Sequence, residues 1–396
     1  MKHEKLRLNL YTGALCYIAL CTCMANNIVG PLLSDIMTHY NISLSRGGMM
    51  SLFQNIGGTL AIVLLSVIMD KLNKPLSLLF PLLLLPACLL LISTMPSYPV
   101  FMLMYLLAGM CLSTSDMMSN AVVPDIHPEK RDAALSLLHG FAPVGAFIVP
   151  VVAGAIIDAG TPWQRVYFLI GLLSVTLLVA YIVTFALARK QFHTEGAKPR
   201  EAKDTGAIKR MLRDYRVYVA AGCVFLFGAF QSGLSVWGVR YCRELFGLNA
   251  VEAGLIVTIY WAATGLTRIL FSFTRLKTLE TRPVILYGSI AAGITFCAGL
   301  LSGSYAVLLI CTFVTGCLNA QVIPRAVGLA TGWYKENSGM ASSTVLTFLY
   351  VAFATSPLLL GAVANRFGMQ VILYLPAVFT VLAGILAIAL PREQTR

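Results

Sequence analysis

Apolar stretches of about 20 residues, the length that crosses a bilayer as a helix, follow one another along this chain from Leu8 to its last residues, and they come in two copies. The echo is clearest where Glu129-Lys130-Arg131, Pro150 and Gly154 recur as Glu336-Asn337-Ser338, Pro357 and Gly361, each 207 residues later (336 − 129). Backbone polar groups in hydrocarbon must find partners inside the protein, and consecutive apolar segments of this length satisfy that as helices. Of the 396 residues, 58% are hydrophobic and 12% charged, where a soluble domain carries about a quarter charged. The expected fold is therefore an all-α membrane protein: twelve transmembrane helices in two six-helix pseudo-repeats, with any binding chemistry placed between helices. Two parallel copies of one bundle can rock against each other around a central site, which is the mechanics of a secondary transporter.

The spans are expected at residues 8–28, 47–69, 75–94, 98–122, 134–157 and 167–188, and then at 217–239, 253–273, 283–301, 305–329, 341–364 and 371–390. This gives an N-terminal bundle over 1–189, a linker over 190–216 and a C-terminal bundle over 217–396. The linker mixes Lys190, Lys198, Arg200, Lys203 and Arg210 with Glu195, Glu201 and Asp204, a solvated composition. An even span count puts both termini on one side. Lys71, Lys74, Lys130, Arg131, the linker, Arg275, Lys277, Arg282 and Lys335 fall on that side, while the opposite loops carry only Arg46, Arg165, Arg240, Arg243 and Arg366. By the positive-inside rule both termini face the cytoplasm of a cell (inner) membrane. The short basic start, with Lys2, Lys5 and Arg7, reads as the flank of a retained first span, because the apolar run that follows is too long for a signal peptide.

The net charge of +12 is thus a topological signal, and no nucleic-acid partner is expected. Ten cysteines lie within apolar runs, where a thiol behaves as a small buried hydrophobe. Cys21-Thr22-Cys23 lacks zinc spacing and no His cluster accompanies it. There is no phosphate-binding Gly-x-x-x-x-Gly-Lys-Ser/Thr loop, no His-Glu-x-x-His and no nucleophile elbow. An enzyme, a cofactor and a metal are all left without support.

Ser66-Val-Ile-Met-Asp70-Lys71-Leu-Asn73-Lys74 falls in the turn after the second span. It resembles the Gly-x-x-x-Asp-Arg/Lys-x-Gly-Arg/Lys signature of the major facilitator superfamily, with Asp70, Lys71 and Lys74 matching and Ser66 and Asn73 in place of glycines. Within that superfamily, Asp116-x-x-x-Asn120, Pro128-Glu129-Lys130-Arg131 and Leu137-Leu138-His139-Gly140-Phe141-x-x-x-Gly145 are similar to the fourth and fifth helices of the fucose–galactose–glucose proton symporters. Ser235-Val236-Trp237 and Trp261 through Gly265-Leu266-Thr267-Arg268 are similar to their seventh and eighth. The resemblance implies uptake of a small polar organic solute by proton symport, with Asp70, Lys71, Lys74, Arg131 and Arg268 in conformational gating. The sequence departs from that branch where an acid of the first helix is replaced by Asn26 and Asn27, and one of the seventh by Gln231. Proton coupling therefore falls mainly on Asp116.

Asp116 stands out on its own physics. A carboxylate inside an apolar span costs about 2.5–3.5 kcal/mol on insertion scales unless it is paired, protonated or wet, and such residues mark ion or solute paths; a fixed interhelical hydrogen bond is the alternative. His139, near the start of the fifth span, either relays protons or ties two helices. Arg325 in the tenth span is the counterpart of Asn120, and Gln321 of Asp116, on a local offset of 205 (325 − 120). Arg325 either anchors an anionic group bidentately or snorkels to its helix end. Asn27, Gln54, Asn55, Asn120, Gln231, Asn319 and Gln321 supply uncharged polar groups at mid-span depth, with Trp237, Tyr260 and Trp261 as aromatic faces. The substrate-binding set is Asn27, Gln54, Asn120, Gln231, Trp237, Gln321 and Arg325, and the coupling set Asp116 and His139.

Pro143, Gly145, Pro150 and Gly154 crowd the fifth span, and Pro357 and Gly361 mark its repeat mate, where close packing and bending are expected. The Gly-Pro pattern of drug/proton antiporters is absent from the fifth span. The sequence thus reads as a monomeric transporter of a sugar or organic anion, with the bilayer, the solute and a co-transported proton as partners. A drug/proton efflux transporter of the same fold, or a membrane receptor or enzyme, are the alternatives.

Overall fold

The computed structural model describes residues 2–68, 72–127, 131–189, 210–211, 213–273, 279–334 and 338–391. The described residues are helical almost throughout. In chain order the α-helices are α1 (Lys2–Asn27), α2 (Val29–Tyr40), α3 (Leu44–Ile68), α4 (Lys74–Ser77), α5 (Leu79–Ile92), α6 (Tyr98–Ile126), α7 (Arg131–Asp158), α8 (Gln164–Ala188), α9 (Tyr215–Phe246), α10 (Ala250–Phe273), α11 (Thr281–Leu301), α12 (Tyr305–Asn319), α13 (Val322–Trp333), α14 (Ser338–Phe367) and α15 (Tyr374–Leu386). Among the described residues eleven segments are long and apolar enough to span a membrane, and a shorter apolar helix, Pro143–Asp158, lies within α7. The chain is an all-α, multi-pass membrane protein.

Two expectations change in detail. The first span does not end at residue 28: α1 gives way to α2 after one non-helical residue, and the apolar segment reaches Tyr40. The second half begins at Tyr215, where Asp214 caps α9 by accepting the Arg216 N–H at 2.9 Å. The linker itself, apart from residues 210–211 and 213–216, lies outside the described residues.

The chain divides into two compact units. The first comprises Met1–Asn41 and Phe53–Pro199. Its core is built on Tyr11, Leu15, Ile18, Met118, Leu177 and Tyr181. The Tyr181 hydroxyl donates to Pro75 O at 2.6 Å and accepts from Tyr11 at 2.8 Å, so two phenols satisfy a carbonyl at the start of α4. Glycine contacts set the helix spacing, as they must where lipid is no poorer a solvent than another side chain. A Cβ on Gly109 of α6 would overlap the Gln54 carbonyl of α3, and one on Gly145 of α7 would overlap the Leu20 carbonyl of α1.

The second unit comprises Ile42–Leu52 and Arg200–Arg396. Its core joins Val217, Val224, Phe227, Ala326, Val345 and Leu349. Asn365, near the end of α14, accepts the Leu44 N–H at 3.2 Å and donates to the Ser45 hydroxyl at 2.6 Å. Pro143 and Pro150 sit inside α7 and Pro357 inside α14 without ending either helix. Pro150 of α7 and Pro357 of α14 lie 207 residues apart (357 − 150), the spacing of the sequence repeat.

Candidate functional site

Among the described residues four spans contain a break in the helix, and in two of them, Leu6–Tyr40 and Tyr305–Trp333, the break falls at mid-span; one rule accounts for both of these. A proline has no N–H for the carbonyl four residues earlier, and its ring crowds that carbonyl. Pro31 is the third residue of α2, and four residues before it Asn27 ends α1. Pro324 is the third residue of α13, and four residues before it Ala320 lies in the joint after α12. In the first turn of a helix the missing N–H would have had no partner anyway, so each proline closes one helix and begins the next. Broken helices in membrane proteins free backbone polar groups where a solute or ion can use them.

In the first unit the interruption brings polar side chains together. Asn27, buried at the end of α1, donates from Nδ2 to Cys23 O at 2.9 Å and lies 3.6 Å from the Cys23 sulfur. The Cys23 thiol is within electrostatic reach of the Asp116 carboxylate on α6. Asp116 is exposed on the surface of this unit. One turn on, Asn120 presents an Oδ1 that is buried without a hydrogen-bond partner, and the Ser115 and Ser119 hydroxyls beside them are likewise unpartnered. Gln54 donates to Asn26 Oδ1 at 2.8 Å. Asn27 and Asp116 therefore share one neighbourhood on α1 and α6, and Gln54 ties α3 to the residue next to Asn27.

In the second unit the interruption is built by α10 and α12. Gly316 lets α12 lie against α10, since a Cβ there would stand 2.8 Å from both Ala263 Cβ and Tyr260 O. At this contact the Thr264 hydroxyl donates to Gly316 O at 3.4 Å. One turn further along both helices, Arg268 Nε donates to Ala320 O at 3.1 Å. Asn319, fully buried, has neither its amide nitrogen nor its oxygen paired among the described residues. Gln321 beside it is buried at 8% exposure, and Gln231 on α9 is buried with Nε2 unpartnered. Phe230, Tyr260 and Trp261 form the adjoining aromatic wall, with ring centroids 5.6 and 6.1 Å apart in sequence along that series.

The other sequence-selected residues take different places. Trp237 is fully buried and its indole N–H donates to Pro357 O at 3.0 Å, so its ring serves to join α9 to α14. Arg325 on α13 donates from Nη1 to Leu279 O in the turn between α10 and α11, and its guanidinium stands 5.6 Å over the Phe271 ring. Lys74 forms an ion pair with Asp125 at 2.7 Å. Asp70 and Lys71 lie outside the described residues, as do the side chains of Arg131 and His139, although both of the latter belong to α7.

A cluster the sequence reading missed joins α9 to the far end of α13. Asp214 accepts from Arg216 Nε at 3.0 and 2.9 Å and from the Tyr334 hydroxyl at 2.6 Å, and the Arg216 guanidinium stacks 5.2 Å over Trp333. Burial raises the Asp214 pKa, but the Arg216 and Tyr334 hydrogen bonds outweigh it and hold the carboxyl below the ordinary value. The signal, an Asp-x-Arg at a helix start and a Trp-Tyr pair at a helix end, has no meaning until the two ends meet.

The sequence profile described as Major Facilitator Superfamily matches residues 15–277 and 241–396. The chain belongs to the major facilitator superfamily. It is a transporter of that superfamily and not an enzyme. Among curated relatives it is 22% identical over 338 residues to a Protein TsgA homolog of Buchnera aphidicola subsp. Schizaphis graminum, covering 84% of each chain. It is 24% identical to the Protein TsgA homolog of Erwinia tasmaniensis over 60% of this chain and 58% of that one. Among solved structures it is similar to a bacterial homolog of the human lysosomal transporter Spinster, with a TM-score of 0.80 at 11% identity over 95% of each chain. It is also similar to the nucleoside transporter NupG, with a TM-score of 0.75 at 12% identity over 96% of this chain and 99% of that one. At these identities the structural likenesses establish the superfamily fold.

Proposed function

We propose that this superfamily transporter carries a small polar organic solute, a sugar-like or anionic molecule, by alternating access coupled to protons. The observation that carries the reading is the interrupted span at Asn319–Gln321, where a fully buried amide side chain is left with its hydrogen-bonding capacity unused. An unpaired buried amide is costly, and a polyhydroxylated or heterocyclic solute supplies both the donor and the acceptor it lacks. Asn27, Gln54, Asn120, Gln231 and Gln321 extend the same chemistry, and Arg325 adds a cation for an anionic group. Trp237 contributes as the buried support of α9.

Asp116, an exposed carboxylate within a span, carries the proton, with His139 as a second titrating group on α7. Asp70, Lys71, Lys74, Arg131 and Arg268 govern the exchange between states. The protein works as a monomer in the cell membrane with both termini cytoplasmic. That a structural neighbour is a nucleoside transporter adds nucleosides to the solutes worth testing.

The test is a thermal-shift panel on the purified protein with hexoses, dicarboxylates, nucleosides and lipophilic cationic drugs, followed by counterflow in proteoliposomes with the stabilising compound. A ligand that binds only the folded state at 100 times its Kd stabilises by about 2.7 kcal/mol. Stabilisation and exchange of a hexose, dicarboxylate or nucleoside support the reading. Stabilisation by the cationic drugs alone overturns it in favour of drug efflux.

A further inference from the structure

The Ala320 carbonyl poses a specific problem. In an uninterrupted helix it would accept the N–H of residue 324, but residue 324 is proline and has none. This carbonyl is the one to which Arg268, on the neighbouring helix, donates from Nε at 3.1 Å. The bond is in register with the packing, because Thr264 meets Gly316 and Arg268 meets Ala320, both pairs 52 residues apart. Asn319 and Gln321 flank the capped carbonyl on either side.

We infer that Arg268 is a positioning residue: its guanidinium replaces the hydrogen bond that Pro324 cannot make. It thereby fixes the open joint between α12 and α13 so that the amides of Asn319 and Gln321 are held in one orientation. A charged donor on a carbonyl is among the stronger neutral-acceptor bonds, and here it comes from a helix already seated against α12 through Gly316. The assignment gives the Arg268 Nε–H to the protein backbone and the solute-facing role to the Asn319 and Gln321 amides. The brace stands on geometry alone; only its value to solute recognition rests on the transport reading above.

The logic is tested by a suppressor. Pro324→Ala returns an N–H to the position from which Ala320 O can be served within the helix, making the guanidinium redundant. Arg268→Met, Arg268→Lys, Pro324→Ala and the Arg268→Met/Pro324→Ala double variant are purified in the same detergent. Amide exchange over residues 313–324 is read by mass spectrometry, together with the rate at which N-ethylmaleimide alkylates Cys317, a half-buried thiol two residues before Asn319. Loss of a hydrogen bond from a charged donor predicts about ten- to a hundredfold faster exchange in Arg268→Met. Arg268→Lys, which keeps a donor of poorer reach, falls between that variant and the parent. The double variant returns to within about threefold of the parent, and alkylation follows the same order.

Exchange in the double variant as fast as in Arg268→Met overturns the inference, as does an Arg268→Met protein that exchanges like the parent. If Arg268→Met does not fold, the inference requires the double variant to fold, and failure of both refutes it. None of these readouts depends on a solute, so an error in the proposed function leaves them unaffected.

Discussion

Gly316→Ala is the sharpest perturbation of this site because its cost can be worked out beforehand. The added methyl would stand 2.8 Å from Ala263 Cβ and 2.8 Å from Tyr260 O, both on α10. Comfortable carbon contacts begin near ~3.5 Å, so α12 must retreat by about 0.7 Å, since backbone rather than a flexible side-chain tip is in the way. Such overpacking costs about 1–3 kcal/mol. A retreat of that size along both bonds also carries the Thr264 bond, now 3.4 Å, and the Arg268–Ala320 bond, now 3.1 Å, beyond hydrogen-bonding range unless the Arg268 side chain follows. If the latter is lost, a further ~1.5–3 kcal/mol goes with it. The expected destabilisation is therefore about 1–6 kcal/mol.

Gly328→Ala on α13 is the matched control. Nothing lies within 4 Å of its added Cβ, and replacing a helical glycine by alanine there should gain about 0.5–1 kcal/mol. Both variants are compared with the parent by equilibrium unfolding in mixed detergent, with amide exchange at 313–324 as the local readout. Gly316→Ala must unfold earlier and exchange faster across the joint, while Gly328→Ala does neither. Equal tolerance of the two alanines would refute the close approach of α10 and α12 and the register built on it.

Further predictions concern the other groups. Asp116→Asn is expected to keep counterflow of the solute but to lose the response of uptake to an imposed proton gradient; an unchanged gradient response in proteoliposomes would remove Asp116 from coupling. Tyr334→Phe deletes one of the hydrogen bonds that depress the Asp214 pKa. A depressed carboxylate stabilises the fold above its unfolded pKa and loses that contribution as pH falls through its folded pKa. The melting temperature of Tyr334→Phe should thus lie below the parent's at pH 7 and converge with it as pH falls through the depressed Asp214 pKa, and a gap that stays constant as the pH is lowered would contradict the assignment. Asp125→Asn breaks the exposed Lys74 pair and should cost less than about 1 kcal/mol, vanishing in high salt. Trp237→Phe leaves Pro357 O without its indole donor and should lower the free energy of unfolding by about 1–3 kcal/mol; a neutral result would argue against the tie between α9 and α14.

The sequence carried the spans because their signal is hydropathy summed over some twenty residues, which no single contact can overturn. It carried the repeat too, in Pro150 and Pro357, although both prolines proved to sit inside continuous helices. The two mid-span interruptions passed unseen for a local reason. Pro31 and Pro324 lie in segments that are apolar only on average, with Asn26, Asn27, Asn319 and Gln321 close by, and a proline's effect falls on a residue four positions earlier. Asp116 was legible because a carboxylate in a span is conspicuous, but its nearness to Cys23 and Asn27 depends on how α6 packs on α1. Trp237 illustrates a different limit: a large aromatic ring at mid-span can face a solute or fill a core, and only its fully buried position and the Pro357 carbonyl locate it. For Arg268, the residue type gave a charge and the fold gave the single carbonyl that needs it.

The joint at Ala320 also makes α13 a mechanical part in its own right. Twelve residues of helix form a rod about 18 Å long, hinged at one end by the Arg268-capped carbonyl and fastened at the other through Tyr334 and Trp333 to the start of α9. Arg325 sits close to the hinge, so a displacement of about 1 Å at the Tyr334 end tilts the rod by about 3° and shifts the Arg325 backbone by only about a third of an ångström, on the same rise per residue. The rod is a reducing lever. Coarse movement at the distal end reaches the polar groups beside the joint as a fine adjustment of their aim, on the scale that decides whether a hydrogen bond is made.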